Sequence, residues 1–481
     1  MKISMLINGE STESAGGKTF ERRDPVTGEV ATIAPAATVA DVKAAVKAAS
    51  DAYPAWSATG PTARRMLLLK AADAMEANAE RITGLMITET GSTGPWAGFN
   101  CMLAAGMLRE AASLTTQITG EIIPANKPGT LAMAQRKSLG VCVGIAPWNA
   151  PIILGTRAVA TAIACGNTVV LKASELCPAT QLAIGEAFKD AGFPPGVMNV
   201  VTNDLVDAAE IVGALIDAPD VRHINFTGST NVGRIIAMRA AENLKPVLLE
   251  LGGKAPMVIL DDADLEAAVN GAAFGAFMNQ GQICMSTERL IVQDGIADKF
   301  VVALAAKASK LPAGNPRDKV VLGSLVTEAA AEKMDDLIAD ATGKGGKLIA
   351  GGNRTGSIVE ATLIDNVTDD MRMYTEESFG PVKPIIRVKD DAEAIRVAND
   401  TEYGLSASVY SSNINRALDV ANQIESGICH INGPTVGDEA QMPFGGVKNS
   451  GYGRFGGKAG IDSFTTIRWV TIENPNQHYP F

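Results

Sequence analysis

Histidine is nearly missing from this chain, with three residues in 481, His223, His430 and His478. None sits in a catalytic context, so a nucleophile here must find its base among other side chains. Cysteine is sparse as well: the six, at 101, 142, 165, 177, 284 and 429, show neither paired nor metal-ligand spacing. That excludes a disulfide framework and a cysteine metal site and suits the reduced thiols of a cytoplasm. Basic runs are lacking. With 42 Lys plus Arg against 53 Asp plus Glu, the net charge of -11 argues against nucleic acid and anionic membrane and leaves a small molecule as the expected partner. Long apolar runs are lacking too. The start "MKISMLING" is too short for a secretory signal, and the apolar stretch 140–173 is broken by Pro147, Asn149, Pro151 and Arg157, so no membrane span is expected. No internal repeat or low-complexity linker is present, and the glycines and prolines punctuate element ends.

What is present is alternation. A chain of 481 residues exceeds what one hydrophobic core usually supports, so two or three domains are expected. In the middle, short β-branched runs alternate with amphipathic segments: "NTVVLKAS", "GVMNVVT" and "VRHINFTGS" read as strands, and "PATQLAIGEAFKDAG", "DAAEIVGALIDA" and "TNVGRIIAMRAAENL" as helices. This βαβαβ order predicts a doubly wound parallel sheet in an α/β protein. A second α/β region begins near Lys254 with "APMVIL", "LEAAVNGAAFGAFM" and "ERLIVQ" and runs to about Asn432. Segments 119–140 and 460–475 are strand-like but stand apart from both, as a projecting sheet at a subunit interface would.

Three local patterns carry chemistry. In "FTGSTNVG", Gly228 and Ser229 lead backbone N–H groups into a helix N-terminus, an end that attracts a pyrophosphate. The spacing is not G-x-G-x-x-G, and a Gly-Ser-Thr turn by itself is also an ordinary helix cap. "VVLKASE" places Lys172, Ser174 and Glu175 at the carboxyl end of a strand, where nucleotide ribose hydroxyls sit in such sheets; a surface ion pair is the plainer alternative. In "NQGQICMSTER", Cys284 stands between Ile283 and Met285, and in "LLELGGK" Glu250 ends an apolar strand before two glycines. A cysteine so placed is either a small buried hydrophobe or a nucleophile. A buried strand carboxylate is either paired, here with Lys254 or Lys245, or functional. Cys142, Cys165 and Cys429, in apolar or strand-like surroundings, are expected to be inert core thiols.

The phrases "IAPWNAP", "NFTGST", "LLELGGKAP", "FMNQGQIC", "EESFGPV" and "PFGGVKNSGYGR", in this order across nearly the whole chain, resemble the signature set of the NAD(P)-dependent aldehyde dehydrogenase superfamily. "REAASLTTQITGE", "GQICMSTERL" and "ICHINGPTV" are similar to its aromatic-aldehyde branch, whose members act on vanillin and salicylaldehyde. The resemblance implies a Rossmann-like NAD-binding domain at 1–118 and 141–250, an α/β catalytic domain at 251–445, and oligomerisation segments at 119–140 and 460–481, giving a homodimer or homotetramer. It implies that Cys284 attacks the aldehyde carbon, that Asn149 and the Cys284 N–H hold the resulting oxyanion, and that Glu250 activates the water that releases the acid. Lys172, Ser174 and Glu175 would then lie at the adenosine ribose, Gly228, Ser229 and Trp148 along the pyrophosphate, and Glu377 with Phe379 at the nicotinamide ribose. Glu175 at the ribose favours NAD, with NADP used at lower efficiency. A CoA-acylating dehydrogenase would not need Glu250, and a non-catalytic relative would need none of the three.

One departure concerns the helix beginning at "NAPIILGTR". Ala150 and Arg157 are seven residues apart and share a face with Leu154. Many members of the family carry an aromatic residue where this chain has Arg157. Either Arg157 forms a structural ion pair with a carboxylate that the sequence does not identify, or it faces a pocket walled by Ile283, Met285 and Phe444 and hydrogen-bonds a ring hydroxyl or phenolate, with small Ala150 leaving room for the ring.

Overall fold

The computed structural model describes residues 1–476 and 478–481. Its first sheet has a parallel centre in the spatial order Met198–Val201, Thr168–Lys172, Val141–Ile145, Val221–Thr227 and Val247–Glu250. These strands are buried almost throughout, because helices cover both faces, and their sequences are accordingly near-continuous Val, Ile and Leu. The order reverses at Val141–Ile145, so the carboxyl ends of that strand and of Val221–Thr227 flank the crevice where doubly wound sheets bind ligands. Antiparallel edges complete the sheet: Met5–Ile7 and Glu10–Thr12 on one side, Gly451–Tyr452 beside Glu250 on the other.

The second sheet has seven strands, ordered Lys347–Ala350, Thr362–Asp365, Val382–Val388, Arg289–Gln293, Pro256–Ile259, Ser406–Tyr410 and Ile428–Ile431. All neighbours are parallel except the first pair. Glu121–Ile123, Leu131–Ser138 and Thr465–Ile472 form a separate antiparallel sheet. Ile467 and Trp469 stand open on one face of it, at 65 and 76% exposure, and Ile122 on the other, at 76%, so both faces carry uncovered apolar side chains. Two details differ from the sequence reading. Residues Gly457–Ser463 form a short helix, entered through positive-φ Gly456 and Gly457, and the strand starts only at Thr465. Cys429 is exposed, on Ile428–Ile431, which is an edge strand of its sheet.

One helix matters most for the site. Pro151–Ala164 is buried at every position, as an all-round apolar helix should be, and Arg157 is its one charged residue. It lies so close to the sheet that a Cβ on Gly144 would come within 2.9 Å of the Ala158 side chain. Pro151 at its first position has no N–H to leave unsatisfied and fixes where the helix begins, directly after Asn149 and Ala150.

Candidate active site

Cys284 reaches the junction of the two sheets through a forced turn. Asn279, Gln280 and Gly281 all have positive φ, at 48°, 55° and 72°. Two non-glycine residues there cost of order 1–3 kcal/mol each. Side-chain amides hold them in place: Asn279 Nδ2 donates to the Asn149 carbonyl at 3.1 Å, and Gln280 Nε2 to the Ser324 carbonyl at 3.0 Å. Asn149 is fixed in return, its Nδ2 donating to the Gln282 carbonyl at 3.0 Å while its own carbonyl accepts the Trp96 indole N–H at 3.0 Å. The nucleophile loop and the amide of Asn149 are therefore one hydrogen-bonded unit. Gly253 presses against it from the other side, where a Cβ would lie 2.5 Å from the Cys284 carbonyl oxygen.

Cys284 and Asn149 line a cavity of about 280 Å³, a size that suits a single aromatic ring with small substituents. Ala150, Arg157, Ile283, Met285 and Phe444 all contribute to its walls. So do residues that sequence reasoning did not single out, chiefly Trp96, Phe99, Phe274 and Asp438. Arg157 forms a buried ion pair with Asp438 and lies 4.2 Å from the Phe444 ring centroid. The unidentified carboxylate of the sequence reading is thus Asp438, and the same arginine also faces the cavity.

Glu250 ends its strand 2% exposed, its carboxylate sealed from solvent and approached by no side-chain donor among the described residues, only loosely by the Gly446 N–H. Burial pushes its carboxyl up to about 8 against the pull of Arg157 and Arg454. Lys254 and Lys245 are engaged elsewhere: Lys254 with Glu288 at 2.8 Å, Lys245 with the Ile216 and Ala218 carbonyls. Burial, then the charges of Glu250 and Glu377, push the Cys284 thiol up to about 12. At rest the sulfur is protonated, so its attack requires a proton acceptor.

At the crevice, Lys172 Nζ lies 3.0 Å from Glu175 Oε2. Burial pushes the Glu175 carboxyl up, but Lys172, its own backbone N–H and Arg22 together more than offset this and hold it below the usual range. The Ser174 N–H donates to Gln181 Oε1 at 2.7 Å, and its hydroxyl accepts the Leu176 N–H at 3.3 Å, so Ser174 shapes the turn that carries Glu175. Ser229 caps the helix Thr230–Glu242 by accepting the Val232 N–H at 3.4 Å. Gly228 is required because a Cβ would meet the Phe226 ring at 2.4 Å, and its N–H pairs with the Glu250 carbonyl at 3.0 Å. Trp148 and Phe379 meet edge to face at 5.7 Å. Phe379 holds a strained φ of 50°, and beside it Glu377 accepts the Gly253 N–H at 2.9 Å. Burial pushes the Glu377 carboxyl up to about 7.

Comparison with known proteins decides what this arrangement belongs to. The profile of the "Aldehyde dehydrogenase family" matches residues 11–470. The chain belongs to the aldehyde dehydrogenase family. It is 57% identical over 481 residues to a vanillin dehydrogenase of Pseudomonas fluorescens, covering 100% of both chains. It is 50% identical over 483 residues to a salicylaldehyde dehydrogenase of Pseudomonas sp. (strain C18), again over 100% of both. The crystal structure of a salicylaldehyde dehydrogenase from Pseudomonas putida G7 complexed with salicylaldehyde superposes with a TM-score of 0.98, at 49% identity and full coverage of both chains. Aldehyde dehydrogenases use NAD(P). The crevice fits such a cofactor, with a helix N-terminus for anionic groups, a carboxylate at a strand end, and a second carboxylate, Glu377, on the side toward Cys284. No helix among the described residues is long and apolar enough to cross a membrane.

Proposed function

We propose that this aldehyde dehydrogenase oxidises a small aromatic aldehyde, of the vanillin or benzaldehyde type, to its carboxylic acid with NAD in the cytoplasm. The observation that carries this reading is the cavity: one end offers Cys284 and Asn149, and its walls are aromatic and aliphatic side chains of the right volume for a ring. Vanillin and salicylaldehyde dehydrogenases among the full-length relatives support the aromatic class. Salicylaldehyde, or a broad range of aldehydes, is the alternative within the same chemistry.

In this reading the Cys284 sulfur attacks the aldehyde carbon as its proton passes to Glu250, a carboxylate whose pKa near 8 lets it both take and give a proton near neutrality. The oxyanion of the thiohemiacetal accepts from Asn149 Nδ2 and the Cys284 backbone N–H, donors already held in place before substrate arrives. Bound NAD supplies the hydride acceptor. Lys172, Ser174 and Glu175 hold its adenosine ribose, Gly228, Ser229 and Trp148 its pyrophosphate, and Glu377 with Phe379 its nicotinamide ribose. Glu250 releases the thiol's proton to solvent and then deprotonates the water that attacks the thioester; the Cys284 sulfur leaves the acyl carbon and takes a proton back, and the carboxylic acid departs. Glu175 accepts hydrogen bonds from a 2′-hydroxyl and repels a 2′-phosphate, which favours NAD over NADP.

Residues 1–118 and 141–250 form the NAD-binding domain, 251–445 the catalytic domain, and 119–140 and 460–481 the oligomerisation segments. The exposed face carrying Ile467 and Trp469 then becomes a contact of the homodimer or homotetramer, with Ile122 on the opposite face of the same sheet. The test is to assay NADH formation across vanillin, benzaldehyde, salicylaldehyde and a short aliphatic aldehyde, with and without CoA. Aromatic acid as product, independent of CoA, is expected. A CoA thioester would make the enzyme acylating, and no NADH would make it a non-catalytic relative.

A further inference from the structure

Two polar pairs line the cavity. Cys284 and Asn149 form the reacting one, and Arg157 and Asp438 are the charged residues in the rest of the wall, which is otherwise apolar side chains and a glycine. Arg157 donates from Nη2 to Asp438 Oδ2, and their side chains are only 6% and 10% exposed. Asp438 Oδ1, in contrast, is sealed from solvent and has no hydrogen-bond partner among the described residues. A buried carboxylate oxygen without a donor is costly and rare in native structures. Phe444, 4.2 Å under the guanidinium, keeps the pair from turning away toward other partners.

An arginine alone in an apolar pocket selects an anion, such as the carboxylate of a semialdehyde. Here its charge is already answered by Asp438. A second carboxylate entering the cavity meets that aspartate's repulsion, whereas a group that both accepts and donates satisfies each partner. A neutral hydroxyl is such a group.

We propose that Asp438 is a specificity-determining residue, its free oxygen accepting the proton of a ring hydroxyl whose oxygen accepts from Arg157. The site then takes a neutral hydroxylated aromatic aldehyde and refuses a carboxylated one. This rests on the aromatic reading above and deepens it: recognition belongs to an acid and base pair, and the aspartate is the member that excludes anions.

The test compares kcat/KM, below about pH 7 where the ring hydroxyl is still protonated, for 4-hydroxybenzaldehyde, benzaldehyde and 4-formylbenzoate in the wild type and in Asp438→Asn. The substitution keeps shape and an oxygen for Arg157 but removes the charge. In the wild type the hydroxylated substrate leads and the carboxylated one trails. In the variant the ratio of hydroxylated to carboxylated substrate falls at least tenfold, the scale of one charge-assisted hydrogen bond, with most of the change in KM. An unchanged ratio, or an equal loss on all three substrates, overturns the proposal. Should the variant not fold, the wild type decides alone. 4-Fluorobenzaldehyde is close in size to the hydroxylated substrate but cannot donate, so it must lie at least tenfold below; parity overturns the proposal. Failure of the aromatic reading looks different: the wild type then prefers a short aliphatic aldehyde to every ring compound, and the proposal falls with it.

Discussion

Replacing Glu250 with glutamine should make the enzyme more stable while stopping its turnover, and the gain should grow with pH. The carboxylate is buried with no side-chain donor among the described residues, and burial lifts its pKa from 4.5 to about 8 against the pull of Arg157, Arg454 and the Gly446 N–H. The folded state therefore holds this proton more tightly than the unfolded chain does. Below pH 4.5 both states are protonated and the group costs nothing. As pH rises from there to about 8 the unfolded chain ionises and the folded one resists, so wild-type stability falls by about 1.4 kcal/mol per pH unit. Above the folded pKa the loss is complete. Full burial means that solvent screening does not discount it. The penalty comes to about 1 kcal/mol at pH 5, about 3 at pH 7 and about 5 at pH 9. Glutamine has the same shape and no such titration. Thermal unfolding of both proteins without cofactor at these three pH values should show the variant's midpoint pulling ahead of the wild type's by a margin that widens with pH, reaching several degrees. A margin constant across pH, or a wild type that is the more stable at pH 9, would refute the argument that desolvation dominates the state of Glu250.

Other consequences concern the remaining site residues. Cys284→Ala should lose more than a thousandfold in kcat yet bind NADH as the wild type does, measured by fluorescence titration, because the thiol forms the covalent bond and not the cofactor site. Wild-type kcat/KM should favour NAD over NADP by tenfold or more, and Glu175→Gln should narrow that gap by relieving repulsion of the 2′-phosphate; equal efficiency in the wild type would place Glu175 away from the ribose. Arg157→Ala should lower kcat/KM for hydroxylated benzaldehydes by about tenfold or more beyond its effect on benzaldehyde. Its loss also strands the buried Asp438 carboxylate, so thermal stability must be read alongside. Substituting Trp469, 76% exposed on the separate sheet, with aspartate should shift the mass in light scattering toward a smaller species.

Much of the site could be read from the sequence because its chemistry is local. Glu250 before two glycines and Cys284 after "NQGQI" each sit in a short stretch whose composition has few structural excuses. The parallel strands were legible for the same reason, since burial on both faces makes each a run of β-branched residues. What escaped depends on chain closure. Asp438 lies 281 residues from Arg157, in a loop whose spacing announces nothing, and Trp96 enters the cavity from a helix of the N-terminal region. The antiparallel edges Met5–Ile7 and Gly451–Tyr452 join the first sheet from opposite ends of the chain, so local periodicity could not assign them. The apolar neighbours of Cys429 suggest a core thiol, but they do not reveal that its strand lies at the sheet edge, where Cys429 is exposed. The helix Gly457–Ser463 hid in a segment read as strand because two positive-φ glycines set its start, where propensity speaks weakly.

The central claim is that oxidation runs through an acyl group on Cys284 that Glu250 releases. Mixing the Glu250→Gln variant with NAD and vanillin, quenching in acid and measuring the mass of the Cys284 peptide tests it most directly. The account predicts that NADH forms more slowly than in the wild type, because the variant no longer takes the Cys284 proton, yet reaches about one equivalent and leaves a stable adduct on Cys284 with the mass of the vanilloyl group, while the wild type shows free vanillic acid and little adduct. NADH formed with no adduct on that peptide, or an adduct on another residue, would contradict it.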